Sequence, residues 1–377
     1  MVAALAIAAD IGLARVGYGL VLPAIRRDLG GGYAVYGAIA AVHLGGYLAG
    51  TLAAPRVLRD RTRRPRWNAV AHLAIAAALL VSALSPNTLV LALTRLAVGF
   101  ASGIGIAAAV TDALERVAPE RRGFASGLAW SAIGLALVVS APAGAWTLGA
   151  AIRWRAATAL WAIPALLVTL LAWRIHPQAQ PDDGADAGDA AFRWRDLLRA
   201  GNAYFVASYA AYGVAYIAFV TFVVAAFAAR GFSPSAVALL WTACGVAATI
   251  GALGVGVVLG SRAHRWSLAI PMVCGGIGSL LVDVRGIAPA AVGTICVGLG
   301  LAATPAVASA FARERSDRAS SARAFSAVTT VFGTGQLAGP LIAGAVADAF
   351  GLGAVPIFAG AVFLAGTLAA AIDARSA

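Results

Sequence analysis

The sequence predicts an all-α integral membrane protein of twelve transmembrane helices, arranged as two related six-helix bundles. Three observations carry this. Hydrophobic residues fill 61% of the 377 positions and charged residues only 12%, with a mean hydropathy of +0.86, too apolar for the surface of a soluble domain. The apolar residues recur in windows of about twenty, the length that crosses a bilayer as a helix. Finally, GIGIAAA at Gly103–Ala109 returns as GLGLAAT at Gly298–Thr304, as expected of a chain built from two copies of one unit.

Segment one covers about 3–25. It has no basic leader and is interrupted by Asp10, so it is expected to be a membrane helix and not a cleaved signal peptide. Segments two and three cover 35–57 and 68–85. Segment four, 88–114, places Arg95, Gly99 and Gly103 four residues apart on one face, a cation followed by two flat notches suited to close helix packing. Segments five and six cover 123–147 and 155–173. The interval from His176 is rich in Pro, Asp and Gly and predicts a flexible linker ending in a short surface helix at 192–199. Six further segments follow at 202–228, 234–259, 266–284, 287–311, 324–348 and 353–373. The domains are therefore 1–173, a cytoplasmic linker at 174–201, and 202–377. Pro142 and Gly144 of segment five recur as Pro340 and Gly344 of segment eleven, and Tyr18 and Tyr216 lie at comparable depths. Two parallel halves of this kind place a binding site near the midplane between them.

The net charge of +12 is carried by arginine, with no lysine in the chain. The arginines crowd the loops after the even-numbered segments and the linker, including Arg56, Arg59, Arg61, Arg63, Arg64 and Arg66. The positive-inside rule then sets both termini in the cytoplasm of a bacterial inner membrane, and accounts for the charge without nucleic acid. Cys244, Cys274 and Cys296 stand in separate apolar segments with no metal-ligand spacing, which argues against a zinc site or a disulfide framework. Without lysine there is no Gly-x4-Gly-Lys-Ser/Thr loop, so ATP-driven transport within this chain is excluded. His-Glu-x2-His and Gly-x-Ser-x-Gly are also absent, which argues against an intramembrane enzyme. Two methionines do not make a soft-metal pathway.

An ionised group in the bilayer centre costs roughly 2.5–3.5 kcal/mol and needs a reason to be there. Asp10 fits a carrier of the driving proton or an acid at a helix start. Asp10 and Arg15 are separated by about 140° on an α-helix and should not face each other, whereas Arg15, Tyr18 and Leu22 share a face. That face suits an anionic or carbonyl-bearing substrate; carbonyls of a neighbouring helix would satisfy Arg15 equally well. His43 is of a type that titrates in the useful range and is either a second proton-coupling residue or a packing residue. Phe205, Tyr209, Tyr212, Tyr216 and Phe219 form one aromatic stripe on segment seven, fit for core packing or for a planar substrate, with Tyr212, Tyr216 and Phe219 as cavity candidates. Trp130, Trp241, Thr304 and Gln336 are further cavity candidates. Asp60, Asp112 and Arg116 are expected at a cytoplasmic gate, with Asp112 set against the arginines after segment two; a solvated loop is the alternative.

These residues carry a resemblance to the major facilitator superfamily along essentially the whole chain. Arg95-x3-Gly99-x3-Gly103 matches the family's fourth-helix motif, PERRGFASGL (119–128) its loop into helix five, WRAATALWAIPALL (154–167) its entry into helix six, and GTGQLAGPLIAGAVADAFG (333–351) its helix eleven. ARVGYGLVLPAIRRDLG and YGVAYIAFVTFVV are similar to the YbfB/YjiJ-type branch. The resemblance implies that helix seven lines the cavity and that Arg95 lies beside helix one, coupling protonation to substrate. Two departures stand out: Ala54 occupies the position of the family's loop 2–3 aspartate, and the helix-five antiporter motif is partial, with Ala141-Pro142 for Gly-Pro. The implied function is a monomeric secondary transporter without cofactor, driven by protons and moving a small molecule, with a small organic anion favoured by the arginines. Efflux of hydrophobic drug-like compounds and a non-transporting receptor or assembly role are the alternatives.

Overall fold

The computed structural model describes residues 1–118, 121–175, 203–258, 266, 268–314 and 321–376, and every regular element among them is helical. Twelve helices follow the expected order: α1 (Val2–Leu29), α2 (Tyr33–Val57), α3 (Arg64–Ala83), α4 (Thr88–Glu115), α5 (Arg122–Gly149) and α6 (Arg153–Trp173), then α7 (Ala203–Ala229), α8 (Pro234–Val258), α9 (Ala269–Asp283), α10 (Ile287–Glu314), α11 (Ser321–Phe350) and α12 (Ala354–Ser376). Eleven contain a stretch long and apolar enough to cross a membrane. The exception, α9, has 15 described residues. The linker expected at 174–201, its short helix at 192–199, and Arg262 and Arg265 fall outside the described residues, apart from the linker's first two positions.

Local chemistry sets the boundaries. Gly30 and Gly31, at φ +72° and +90°, turn the chain from α1 into α2 within three residues, a conformation that a side chain would strain. Asn87 caps α4 by accepting from the Val90 N–H at 3.0 Å. Asp28, at the end of α1, accepts from Trp154 Nε1 at 2.9 Å and Arg155 Nη2 at 2.8 Å, and Arg155 Nη1 goes on to the carbonyls of Ala83 and Ser85. The Trp-Arg pair at the entry to α6 therefore staples that helix to the ends of α1 and α3.

The two halves repeat one packing scheme. Gly103 of α4 meets the Tyr47 carbonyl of α2, and its counterpart Gly298 of α10 meets the Cys244 carbonyl of α8. Two residues on, Gly105 faces His72 of α3, and Gly300 faces Pro271 of α9. The recurring heptapeptide is thus the same pair of helix contacts made twice. Contacts across the halves obey the same exchange, α2 packing on α11 and α8 on α5. Small residues set both seams: Gly37 lies against Pro340, and Gly134 and Gly245 lie against each other. In α1 and α7, 89% and 83% of the apolar window is buried, against 39% in α12, so the former two are the central helices and leucines such as Leu80, Leu93, Leu170 and Leu368 form an outer apolar surface.

One local feature departs from expectation. Residues Ala8–Val16 of α1 form a π-helix, in which bonds run from i to i+5. The 140° separation of Asp10 and Arg15 assumes α geometry; in the π register, residues five apart come round to similar faces, and the two lie within electrostatic reach. They still form no ion pair with each other, because each has been turned to a different neighbour.

Candidate substrate and proton site

Arg15, on the π segment, points to the seam between the halves. Its guanidinium lies over the Tyr47 ring of α2, 4.0 Å from the centroid, and its side chain interacts with the Tyr216 hydroxyl of α7. Gln336 Nε2 of α11 donates to that same hydroxyl. Arg15 is 7% exposed, yet its Nε and Nη2 have no partner. Four helices, two from each half, thus converge on one cation with a buried, unpaired edge.

Beside this cation the stripe of α7 forms a slab. Tyr212 stacks on Tyr216 at 4.9 Å and 13°, and Tyr209 stacks on Phe332 of α11 at 4.7 Å and 11°. Phe205 stacks on Tyr209. The Tyr212 hydroxyl is bonded to the Leu301 carbonyl of α10, whereas the Tyr216 hydroxyl belongs to the polar cluster. Phe219 is 1% exposed and sits in the main apolar core.

The remaining predicted residues divide by neighbourhood. Arg15 and Tyr18, expected side by side on one face, meet different neighbours. Tyr18 instead lies under Arg95, 4.8 Å from the guanidinium, and donates to the Tyr36 carbonyl at 3.1 Å. Arg95 is buried and donates to the Ala14 carbonyl of α1, so it is the arginine held by a neighbouring helix's backbone. His43 Nδ1 lies 3.2 Å from the Arg95 carbonyl and its Nε2 is unpartnered; both Arg95 and Arg15 act on it. Trp241 Nε1 donates to Ser140 of α5 at 3.2 Å, a bond across the halves. Trp130 packs at the edge of the main core. Thr304 spends its hydroxyl on the Gly300 carbonyl of its own helix and is not part of the polar cluster.

Asp10 is turned away from this cluster. It is 1% exposed, and its Oδ2 stands 3.4 Å from Nε2 of His72 on α3. It is not an acid at a solvated helix start. His72 was legible only as one of four scattered histidines; a buried acid on one span and a buried base on another was the available signal.

Residues 7–373 match the family described as "Uncharacterised MFS-type transporter YbfB". The chain belongs to the major facilitator superfamily. Among curated proteins none matches it in sequence. A solved crystal structure of a mutant of the nucleoside transporter NupG shares its fold, with a TM-score of 0.76, 14% sequence identity, and coverage of 99% of this chain and 98% of that one. As a member of the superfamily the protein is a multi-pass secondary transporter of small molecules and not an enzyme.

The loop after α2 and the end of α4 bring one correction. Asp112 does not meet the arginines after α2; it pairs with Arg116, the residue that follows α4, with both oxygens at 2.9 Å. Glu115 takes the expected role, accepting from Arg64 Nη1 at 2.7 Å. Asp60 caps a short turn: the Thr62 hydroxyl and then the Arg63 charge hold its carboxyl below the usual carboxylate range, on an exposed loop. Asp348 is an acid that joins the halves, accepting from the first two backbone N–H groups of α2.

Proposed function

We propose that the protein carries a small organic anion, a carboxylate, across a bacterial inner membrane by alternating access, with protons as the coupling ion and both termini in the cytoplasm. The observation that carries this reading is the unpaired edge of Arg15. Nε and Nη2 are the two parallel donors that grip a carboxylate side-on. The same pair of nitrogens on Arg116 holds both oxygens of Asp112 in this chain. A buried guanidinium with that edge unpaired calls for a two-oxygen acceptor, since an unmatched charged donor is costly. Tyr216 and Gln336 stand beside it to bind a second polar group, and the slab of Tyr209, Tyr212 and Phe332 accepts an apolar or planar body.

The halves 1–173 and 202–377, joined by the linker at 174–201, rock about the α2–α11 and α5–α8 seams. Arg15 and Tyr47 move with one half, Tyr216 and Gln336 with the other, so substrate binding and closure are one event. His43, with Nδ1 bonded to a carbonyl, offers Nε2 as an acceptor near the substrate. Asp10 is the proton carrier. The stacked slab favours a second reading, efflux of hydrophobic planar compounds, since parallel rings accept a flat apolar body with or without a charge.

The test is uptake into proteoliposomes of a panel of labelled mono- and dicarboxylates, nucleosides and hydrophobic cations, with and without a proton gradient. Gradient-dependent carboxylate uptake that is lost in Arg15→Gln is expected. Transport of the neutral or cationic members alone would replace the anion reading, and no transport of any member would favour a receptor or assembly role.

A further inference from the structure

A second polar site lies between α1 and α3, apart from the aromatic slab. His72 and Asp10 are 0% and 1% exposed, with Nε2 and Oδ2 3.4 Å apart. The separation is within ion-pair range, yet neither Asp10 oxygen nor Nε2 makes a hydrogen bond. The other ring nitrogen sets the tautomer. Nδ1 is 2.9 Å from the main-chain oxygen of Asn68. A carbonyl can only accept, so Nδ1 carries the hydrogen, and in the neutral ring Nε2 is then a bare lone pair. It faces a carboxylate, which is also only an acceptor. Two acceptors oppose each other in a closed interior with no hydrogen between them. One proton completes the arrangement, as Oδ2–H···Nε2 or as Oδ2···H–Nε2.

We propose that Asp10 and His72 together form the proton-binding site of this transporter. The assignment rests on the proton-coupled reading above and deepens it, by adding His72 and by separating proton from substrate. Empty, the pair carries one negative charge in an apolar interior; loaded, it is neutral. Among the described residues the charged groups that act on Asp10 are Arg15 of its own helix and His72 of α3. The described residues that the other packed helices bring there are uncharged: Gly105 of α4 lies on the His72 ring, Ala136 of α5 meets Gly12, and Val168 of α6 packs with Ala6. His43, by contrast, has among the described residues two guanidinium groups acting on it and no acid.

The π segment connects this site to the substrate site. Asp10 stands near its start, Arg15 near its end, and Ala14, between them, holds Arg95. Proton binding closes the gap between Oδ2 and Nε2 and pulls on the π segment, whose far end carries the substrate-binding guanidinium. Coupling is therefore mechanical, along a single helix, with no direct contact between proton and substrate.

The test uses the proton itself as ligand. The full-length protein in proteoliposomes is titrated with pH and followed by infrared difference spectroscopy in the carboxylic-acid region. A titrating acid band is expected in the wild type, absent in Asp10→Asn, and moved in midpoint by about one pH unit or more in His72→Gln and His72→Asn, the scale of losing one charge-assisted hydrogen bond. Gel filtration and thermal unfolding identify any variant that misfolds, and two substitutions at His72 keep the comparison available. A band that survives in Asp10→Asn, or a midpoint unmoved in a folded His72 variant, would overturn the proposal. Failure of the parent reading looks different: wild-type uptake would then ignore the proton gradient whatever the infrared titration shows.

Discussion

The carboxylate of Asp348, at the end of α11, accepts from the backbone N–H of Tyr33 at 2.6 Å and of Ala34 at 2.9 Å, the first two residues of α2. An acid of one half thus caps a helix of the other, at the end of the molecule where α1 turns into α2. Such a cap contributes about 0.5–2 kcal/mol. Asp348→Ala should therefore shift the closed state of this end towards opening by roughly 2- to 30-fold. In a background without the three native cysteines, the labelling rate of a single cysteine placed at Val35 reads the shift; an unchanged rate would remove Asp348 from the gate.

Arg15→Lys retains a positive charge but replaces the two-donor edge with a point charge. Loss of a charge-assisted hydrogen bond is worth about 1.5–3 kcal/mol. KM for a carboxylate substrate should rise about 10- to 150-fold, with a smaller effect on any substrate that lacks a two-oxygen group. Equal loss for anionic and neutral substrates would assign Arg15 to structure alone.

Gly99 and Gly103 let α4 lie against the carbonyls of His43 and Tyr47, and Gly46 and Gly50 return the contact from α2. A Cβ at any of these meets backbone, which cannot rotate away. Gly103→Val should cost at least the roughly 1–3 kcal/mol typical of overpacking, and Gly298→Val in the matching seam should behave alike. Gly254, which has open space around it, provides the contrast: Gly254→Ala should be neutral or mildly stabilising. Thermal unfolding in detergent separates the two groups.

The sequence made the helix count, the two halves and the packing glycines legible because these depend on features that recur: apolar length, small residues at four-residue spacing, and one heptapeptide used twice. The site was legible only in part, because its geometry depends on phase. Arg15, Tyr216 and Gln336 were each identified, but that Arg15 meets Tyr47 and Tyr216 while Tyr18 meets Arg95 depends on how the helices pack. The π stretch rotates everything after Asp10, and nothing in AADIGLARV requires it. His72 and Asp348 escaped for a different reason. Each makes sense only through a residue far away in the chain, Asp10 in one case and the start of α2 in the other. Similarly, Asp112 and Glu115 are nearly one turn apart on α4, and only the packing of α3 decides which of them meets Arg64.

Two tyrosines of the slab separate structure from recognition. Tyr212 and Tyr216 are stacked neighbours, both buried, but their hydroxyls have different tasks. Tyr212 donates to the Leu301 carbonyl and ties α7 to α10. Tyr216 accepts from Gln336 and lies against Arg15, so its hydroxyl orients both groups that face the substrate. Tyr212→Phe leaves a backbone carbonyl short of one donor and should lower stability by about 1 kcal/mol with little change in KM. Tyr216→Phe releases a buried amide and a buried guanidinium together, so KM should rise by about 10-fold or more, and Gln336→Leu added to it should cost little further because the interaction is already broken. Unfolding midpoints and uptake kinetics for the two single variants and the double variant test this directly. Additive effects of Tyr216→Phe and Gln336→Leu on KM would mean that the two residues act separately.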